Sequence, residues 1–186
     1  MILEGLVTTL DASGAVNFAP MGPIVEPDFS RFELRPYQTS QTYRNLKTHP
    51  QGVLHVVDDV LLIARAALDR LASPPQTTPA ERVQGRVLAD CCRWFEFEVR
   101  TLDDSAERTS IIAEVVHTAR RRDFFGFNRA KHAVLEATIL ATRLHLLPRD
   151  EILAELKRLK TPVDKTAGPQ EFAAWKLVCD YIGVEG

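Results

Sequence analysis

Thr8-Thr9-Leu10-Asp11-Ala12-Ser13-Gly14-Ala15-Val16-Asn17-Phe18-Ala19-Pro20-Met21-Gly22 is the stretch on which the fold turns. Two runs that suit strands, residues 3–10 and 15–21, flank Asp11-Ala12-Ser13-Gly14, which fits a type I turn closed by a glycine at positive φ. The spacing predicts a β-hairpin. Its second strand runs into Ala19-Pro20-Met21-Gly22, where proline withholds a ladder donor while Met21 and Gly22 keep backbone N–H groups for something other than a neighbouring strand. Such an edge is a candidate ligand contact; the alternative is an edge strand that simply ends at a proline.

Outward from the hairpin, Arg31-Phe32-Glu33-Leu34-Arg35 alternates as a half-buried strand does, and hydroxyl residues at 39–42 open a short helix that stops before His49-Pro50. Residues 51–57 read as a strand; 60–68 fit strand or helix equally; 72–79, with three prolines, reads as a loop. Residues 87–99 read as one long strand, with Trp94, Glu96 and Glu98 on one face and Phe95, Phe97 and Val99 on the other. The branched run 109–117 reads as its partner. Six or seven mostly antiparallel strands and one helix suit a small barrel.

From Asn128 the apolar period changes to 3.6. Asn128 is expected to cap a helix ending at Pro148, with Ala130, Ala133, Val134, Ala137, Leu140, Ala141, Leu144 and Leu147 inward and Arg129, His132, Glu136 and Arg143 on a charged line. A second helix opens at Asp150-Glu151 and closes at Lys157-Arg158 and Lys160. A third runs from Pro169 to Ile182, with Phe172, Trp175, Val178, Cys179 and Ile182 inward and Gly183 at its stop. The fold class is α+β: a barrel domain over 1–122 and a three-helix C-terminal extension over 123–186.

The chain has 186 residues, 45% of them hydrophobic and 26% charged, which suits one core with an appendage. No apolar run approaches the roughly 20 residues of a membrane span, and Met1-Ile2-Leu3-Glu4 does not resemble a secretory leader, so a cytoplasmic location is expected. Three cysteines make a poor disulfide framework and read as buried thiols. The net charge of −2 is unevenly spread: residues 1–116 carry 11 Lys/Arg against 16 Asp/Glu, and 117–160 carry 10 against 5. The basic part could bind a polyanion, or help hold two parts or two subunits together.

Dinucleotide, P-loop, nucleophile-elbow and zinc-protease motifs are absent, and the five histidines lack metal-ligand spacing except for His132 near Glu136, so no metal is expected. The segment Thr39-Ser40-Gln41-Thr42-Tyr43-Arg44-Asn45 remains. Three hydroxyls at a helix start, with unpaired amides beside them and Arg44 one turn in, suit a phosphate monoester; simple capping, which needs one hydroxyl, is the alternative.

A hairpin bearing an Asn and an Ala-Pro-Met-Gly loop, a strand, then Thr-Ser-x-Thr-Tyr-Arg-Asn-Leu opening a short helix resembles the FMN-binding split barrel of the flavin-reductase type. The strand pair at 93–99 and 109–116 is similar to that family's closing hairpin. The chain further resembles a branch in which a helical C-terminal extension opens with a sequence like Phe124-Phe125-Gly126-Phe127-Asn128-Arg129-Ala130-Lys131. The barrel likeness covers about residues 1–120.

This resemblance implies FMN as cofactor, its phosphate at Ser40 and Thr42 with Thr39 and Arg44 in support. It places Asn17 and the backbone of Ala19, Met21 and Gly22 along the isoalloxazine edge, with Trp94 and Tyr43 as possible ring neighbours. It implies a homodimer with flavin near the subunit boundary, and a flavin-dependent oxidoreductase drawing on a reduced nicotinamide, NAD(P)H, or a deazaflavin. Arg129, Lys131, His132 and Glu136 are expected to finish a substrate pocket or else to form a solvated stripe. The alternative function is a flavin-binding module or electron carrier without turnover.

Overall fold

The computed structural model describes residues 1–185. They form two compact units, one of residues 1–57 with 75–124 and one of 58–74 with 125–185.

In the first unit, β1 (Gly5–Leu10) and β2 (Val16–Met21) form the hairpin. Its turn is held by the Asp11 carboxylate, which accepts from the amides of Ser13 at 2.8 Å and Ala15 at 2.9 Å; Gly14 sits at φ 83°. Then come β3 (Ile24–Val25), β4 (Arg31–Leu34), α1 (Gln41–Thr48), β5 (Gln51–Val56), β6 (Thr77–Pro79), β7 (Arg86–Leu88), β8 (Arg93–Asp103) and β9 (Ser110–Arg120). Seven of these strands make one antiparallel sheet in the order β2-β1-β5-β8-β9-β4-β3.

The sheet curls because β3 is paired twice. On one side it meets β4; on the other the Val25 amide donates to Met1 O at 2.8 Å and Ile24 bridges Ile2. From Gly22 back towards the turn, β2 follows β1 alone, so the barrel is split there. Val7, Phe32, Leu34, Leu46, Leu54, Phe95, Phe97 and Ile111 fill the interior, with Phe32 edge-on to Phe97 at 5.2 Å. Each such side chain contributes about 1.5–3 kcal/mol by leaving water. Gly52 admits the tight crossing: a Cβ there would lie 2.6 Å from the Phe97 ring and 2.9 Å from Thr8 O.

The second unit contains α2 (Val60–Ala67), α3 (Arg129–Ala141), α4 (Arg149–Thr166) and α5 (Pro169–Ile182) around Ala64, Val134, Ala137, Ile152, Val163, Trp175 and Val178. The ambiguous run at 60–68 is thus a helix, capped by Asp59, whose carboxylate accepts from the Leu62 amide at 2.8 Å. No helix of the described residues is long and apolar enough to cross a membrane.

Several boundaries differ from the sequence reading. The long strand expected over 87–99 is two strands, because the chain bends at Cys91 and Cys92, both buried, and β7 leaves to pair with β6 in a ribbon over the proline-containing loop. Helix α3 stops at Ala141, six residues before its expected end, and Leu144 is exposed. Helix α4 continues through Pro162 to Thr166: buried Val163 anchors the last turn, and the Thr166 hydroxyl donates to Pro162 O at 2.8 Å. In α5, Phe172 is exposed and Glu171 is the buried member of the pair.

Candidate functional site

The edge strand and the first turn of α1 are joined by side chains. Asn17 Nδ2 donates to Thr42 Oγ1 at 3.1 Å and lies 3.5 Å from Thr9 Oγ1; Asn45 Nδ2 donates to the same Thr9 oxygen at 2.9 Å. Gln41 Nε2 donates to Asn45 Oδ1 at 2.6 Å. Thr9, Thr42 and Asn45 are buried, so this polar chain is fixed by satisfied hydrogen bonds in a place of low dielectric. It brings two separately quoted stretches into one site. Thr9, Gln41 and Asn45 lie within the two quoted stretches but carry no site role in the sequence alone; an amide on the inward face of an amphipathic helix is the available signal.

Ser40 caps α1: its hydroxyl accepts from the Tyr43 amide at 3.2 Å. The amides of Gln41 and Thr42 belong to the helix start, where no preceding turn supplies acceptors. Arg44 folds back, donating to Thr39 O at 2.6 Å and Gln41 Oε1 at 2.9 Å, and pairs with no carboxylate among the described residues. Helix-start amides, the exposed Thr39 and a guanidinium without a counter-ion form a donor set that fits a phosphate ester.

The amides along β2 need a correction. Leu3 N donates to Pro23 O, Asp11 N to Ala15 O and Val25 N to Met1 O, so alternation across the hairpin commits the odd-numbered residues of β2 to β1. Ala19 and Met21 therefore spend their N–H groups in the ladder. The N–H groups turned away from β1 are those of Val16, Phe18 and Gly22, and Pro20 has none.

Tyr43 is buried, and its hydroxyl donates to Asp104 Oδ2 at 2.7 Å, where Lys47 Nζ also donates at 2.7 Å. Hydrogen bonds from Lys47 and then Tyr43 hold the Asp104 carboxyl below the usual range, and the trio pins α1 to the β8–β9 turn. Trp94 is buried too, its indole N–H donating to Glu96 Oε1 at 3.2 Å. Both rings thus pack within the barrel unit.

Glu96 is wholly buried and has no cationic partner within salt-bridge distance among the described residues. It accepts from the amides of Glu81 at 2.9 Å, Arg82 at 2.6 Å and Val83 at 3.2 Å. Burial pushes its pKa up, but these donors and Trp94 outweigh burial and the net direction is down. Beside it, buried His55 accepts from the Leu88 amide at Nε2, 3.1 Å, which leaves Nδ1–H to donate to Leu6 O at 3.0 Å. Desolvation lowers its pKa to about 4, so the ring is neutral.

In the helical unit, Arg129, His132 and Glu136 line a shallow depression of about 270 Å³ floored by Ala133, Leu159 and Pro162. Phe127, 95% exposed, stacks on the His132 ring at 6.0 Å. Lys131 does not share that depression: its ammonium donates to Asp58 O and pairs with Glu171 at 3.0 Å, both side chains being mostly buried. It ties the starts of α2, α3 and α5 together.

Comparison with known proteins follows the same division. No curated protein matches the chain. Among solved structures, the FMN-bound protein of the DUF447 family from Methanosarcina mazei is similar over 97% of this chain and 94% of that one, at 25% identity and a TM-score of 0.79. The 2-nitrobenzoate 2-nitroreductase of Pseudomonas fluorescens, at 20% identity and TM-score 0.55, is similar over 63% of this chain and 64% of its own, less than two thirds of that enzyme. The styrene monooxygenase flavin reductase of Pseudomonas putida S12, at 14% identity and TM-score 0.53, covers 63% of this chain and 77% of its own. These last two share the fold of a flavin-reductase-like split barrel. Two family models complete the picture, one described as Protein of unknown function (DUF447) N-terminal domain over residues 3–122 and one as Protein of unknown function (DUF447) over 128–180. The chain belongs to the DUF447 family.

Proposed function

We propose that this chain binds FMN across the β2 edge and the start of α1, and acts as a flavin-dependent oxidoreductase of the flavin-reductase type. The reading extends to a homodimer with flavin near the subunit boundary and to a reduced nicotinamide or deazaflavin as electron donor. One observation carries it: the Asn17–Thr42 hydrogen bond of 3.1 Å makes the strand edge and the helix start a single polar cradle. The FMN-bound relative of the same family supports the choice of ligand.

Bound flavin supplies the hydride chemistry itself, which asks little acid–base equipment of the protein. The chain's own residues have simpler tasks. The Gln41 and Thr42 amides, with Ser40 and Thr39, receive the phosphate oxygens; Asn17 is held by Thr42 where β2 passes the ring; and Phe18 and Gly22 aim backbone donors along the open edge.

The test is anaerobic mixing of the FMN-loaded protein with NADPH, NADH and a reduced deazaflavin in turn. Bleaching that recovers on addition of an acceptor supports turnover. Tight flavin binding with no response to any donor would make the chain a flavin-binding module instead.

A further inference from the structure

Arg35 carries a charge that the chain does not answer. It follows β4 directly, is half-buried, and its Nε is fully buried without a hydrogen-bond partner. No carboxylate among the described residues pairs with it. Of the acidic groups around it, Glu33 accepts from Ser110, Asp103 from the Ser105 amide, and Asp104 from Tyr43 and Lys47, while the exposed Glu107 carboxylate makes no ion pair with Arg35 or Arg108. Arg108 lies beside it, donating from Nε to Arg35 O at 3.1 Å, with its guanidinium over the Tyr37 ring at 5.7 Å. Arg108 also pairs with no carboxylate among the described residues.

A guanidinium whose Nε is shut away from water with no hydrogen-bond partner, and whose charge no carboxylate answers, has its natural complement in an anion from outside the chain. Position narrows the choice. Four residues separate Arg35 from Ser40, the cap of α1, and the intervening segment rests on the β8–β9 turn through Gln38, whose amide donates to Glu107 O and whose side chain donates to Asp104 O and Ala106 O. Helix-start amides and a guanidinium fork are the two kinds of donor that phosphate oxygens accept best.

We propose that Arg35, with Arg108 held beside it, is the fixed counter-charge for a phosphate ester seated at the start of α1, and that the ester is the flavin's own. This rests on the FMN reading above. It gives Arg35 the discrimination between FMN and riboflavin, and leaves Arg44, tied to Thr39 and Gln41, in a supporting place beside the same ester.

The test compares wild type with Arg35→Met and Arg35→Lys, measuring affinity for FMN and for riboflavin by flavin fluorescence and the melting temperature of the apoprotein. Arg35→Met is expected to weaken FMN by about ten- to a hundredfold, as losing a charged hydrogen-bond partner does, and riboflavin by less than about twofold. Arg35→Lys falls between. Apo Arg35→Met melts at or above the wild-type temperature, which an arginine kept for structure would not allow. An FMN-to-riboflavin ratio equal in wild type and Arg35→Met overturns the proposal, whether or not the melting temperature or the oligomeric state changes. If wild type takes up neither flavin, the FMN reading fails separately and inorganic phosphate decides. A phosphate-dependent rise in melting temperature that Arg35→Met loses keeps the anion site, and equal responses remove it.

Discussion

Removing the Thr42 hydroxyl while keeping its shape, as Thr42→Val, isolates the bond that joins the two halves of the candidate site. Thr42 is buried, and its oxygen is the acceptor for Asn17 Nδ2 at 3.1 Å; without it that amide keeps only Thr9 Oγ1 at 3.5 Å. A net hydrogen bond is about 0.5–1.5 kcal/mol, and a half-buried amide left short of an acceptor adds to that, so the expected loss is about 1–2 kcal/mol. In a chain of this size that is roughly 2–8 °C of melting temperature. Urea unfolding of the apoprotein measures it, and the cycle with Asn17→Ala assigns it. Because both variants delete one bond, the double variant should lose less than the sum, with a coupling of about 0.5–1.5 kcal/mol. FMN affinity should fall in each single variant. Additive losses, or wild-type stability in Thr42→Val, would refute the claim that this bond assembles the site.

Glu96→Gln should be severe, about 3–5 kcal/mol, because the new amide turns donors toward the Arg82 or Glu81 N–H groups that now find an acceptor; circular dichroism melts check it, and a loss below about 1 kcal/mol would contradict the burial argument. In the wild type, its lowered pKa means that its stabilisation is present above the ordinary carboxylate value and fades as pH falls through the lower folded value. His55 acts over a different window. Its folded pKa of about 4 lies below the unfolded 6.5, so the unfolded state binds more protons between these values and stability should decline as pH falls from 6.5 towards 4, by up to about 3 kcal/mol. In His55→Gln, which can reproduce both hydrogen bonds, stability measured across that window should lose this slope. Lys131→Met should cost about 2–4 kcal/mol by leaving the Glu171 carboxylate unpaired, and adding Glu171→Gln should recover part of it; no recovery would mean the pair is not the main contribution.

The barrel was legible because its signals are local. The Asp11–Gly14 turn, alternation over Arg31–Leu34 and the hydroxyl-rich helix start each declare themselves within a few residues. What escaped depends on contacts far apart in sequence. Glu96 reads as the polar face of a strand, yet the amides of Glu81 to Val83 bury it. The basic residues Lys157, Arg158 and Lys160 read as a helix end, but Val163 packs into the core and carries α4 onward through Pro162. The hydrogen-bond parity of the hairpin, set by its ends, keeps the Gly22 amide outward as the sequence suggests but turns those of Ala19 and Met21 into the ladder and that of Phe18 outward. Within the site, Ser40, Thr42 and Asn17 were visible as residue types, whereas Thr9 and Asn45, which hold them together, become visible only once β1 and α1 are packed.

The absorption spectrum of the purified chain, followed by titration with FMN, is the most direct measurement. Flavin bands, or saturable FMN uptake at micromolar concentration that Ser40→Ala with Thr42→Val weakens by tenfold or more, is the expected result. A colourless protein that takes up no FMN even at about 1 mM would contradict the reading of the α1 start and the β2 edge as a cofactor cradle.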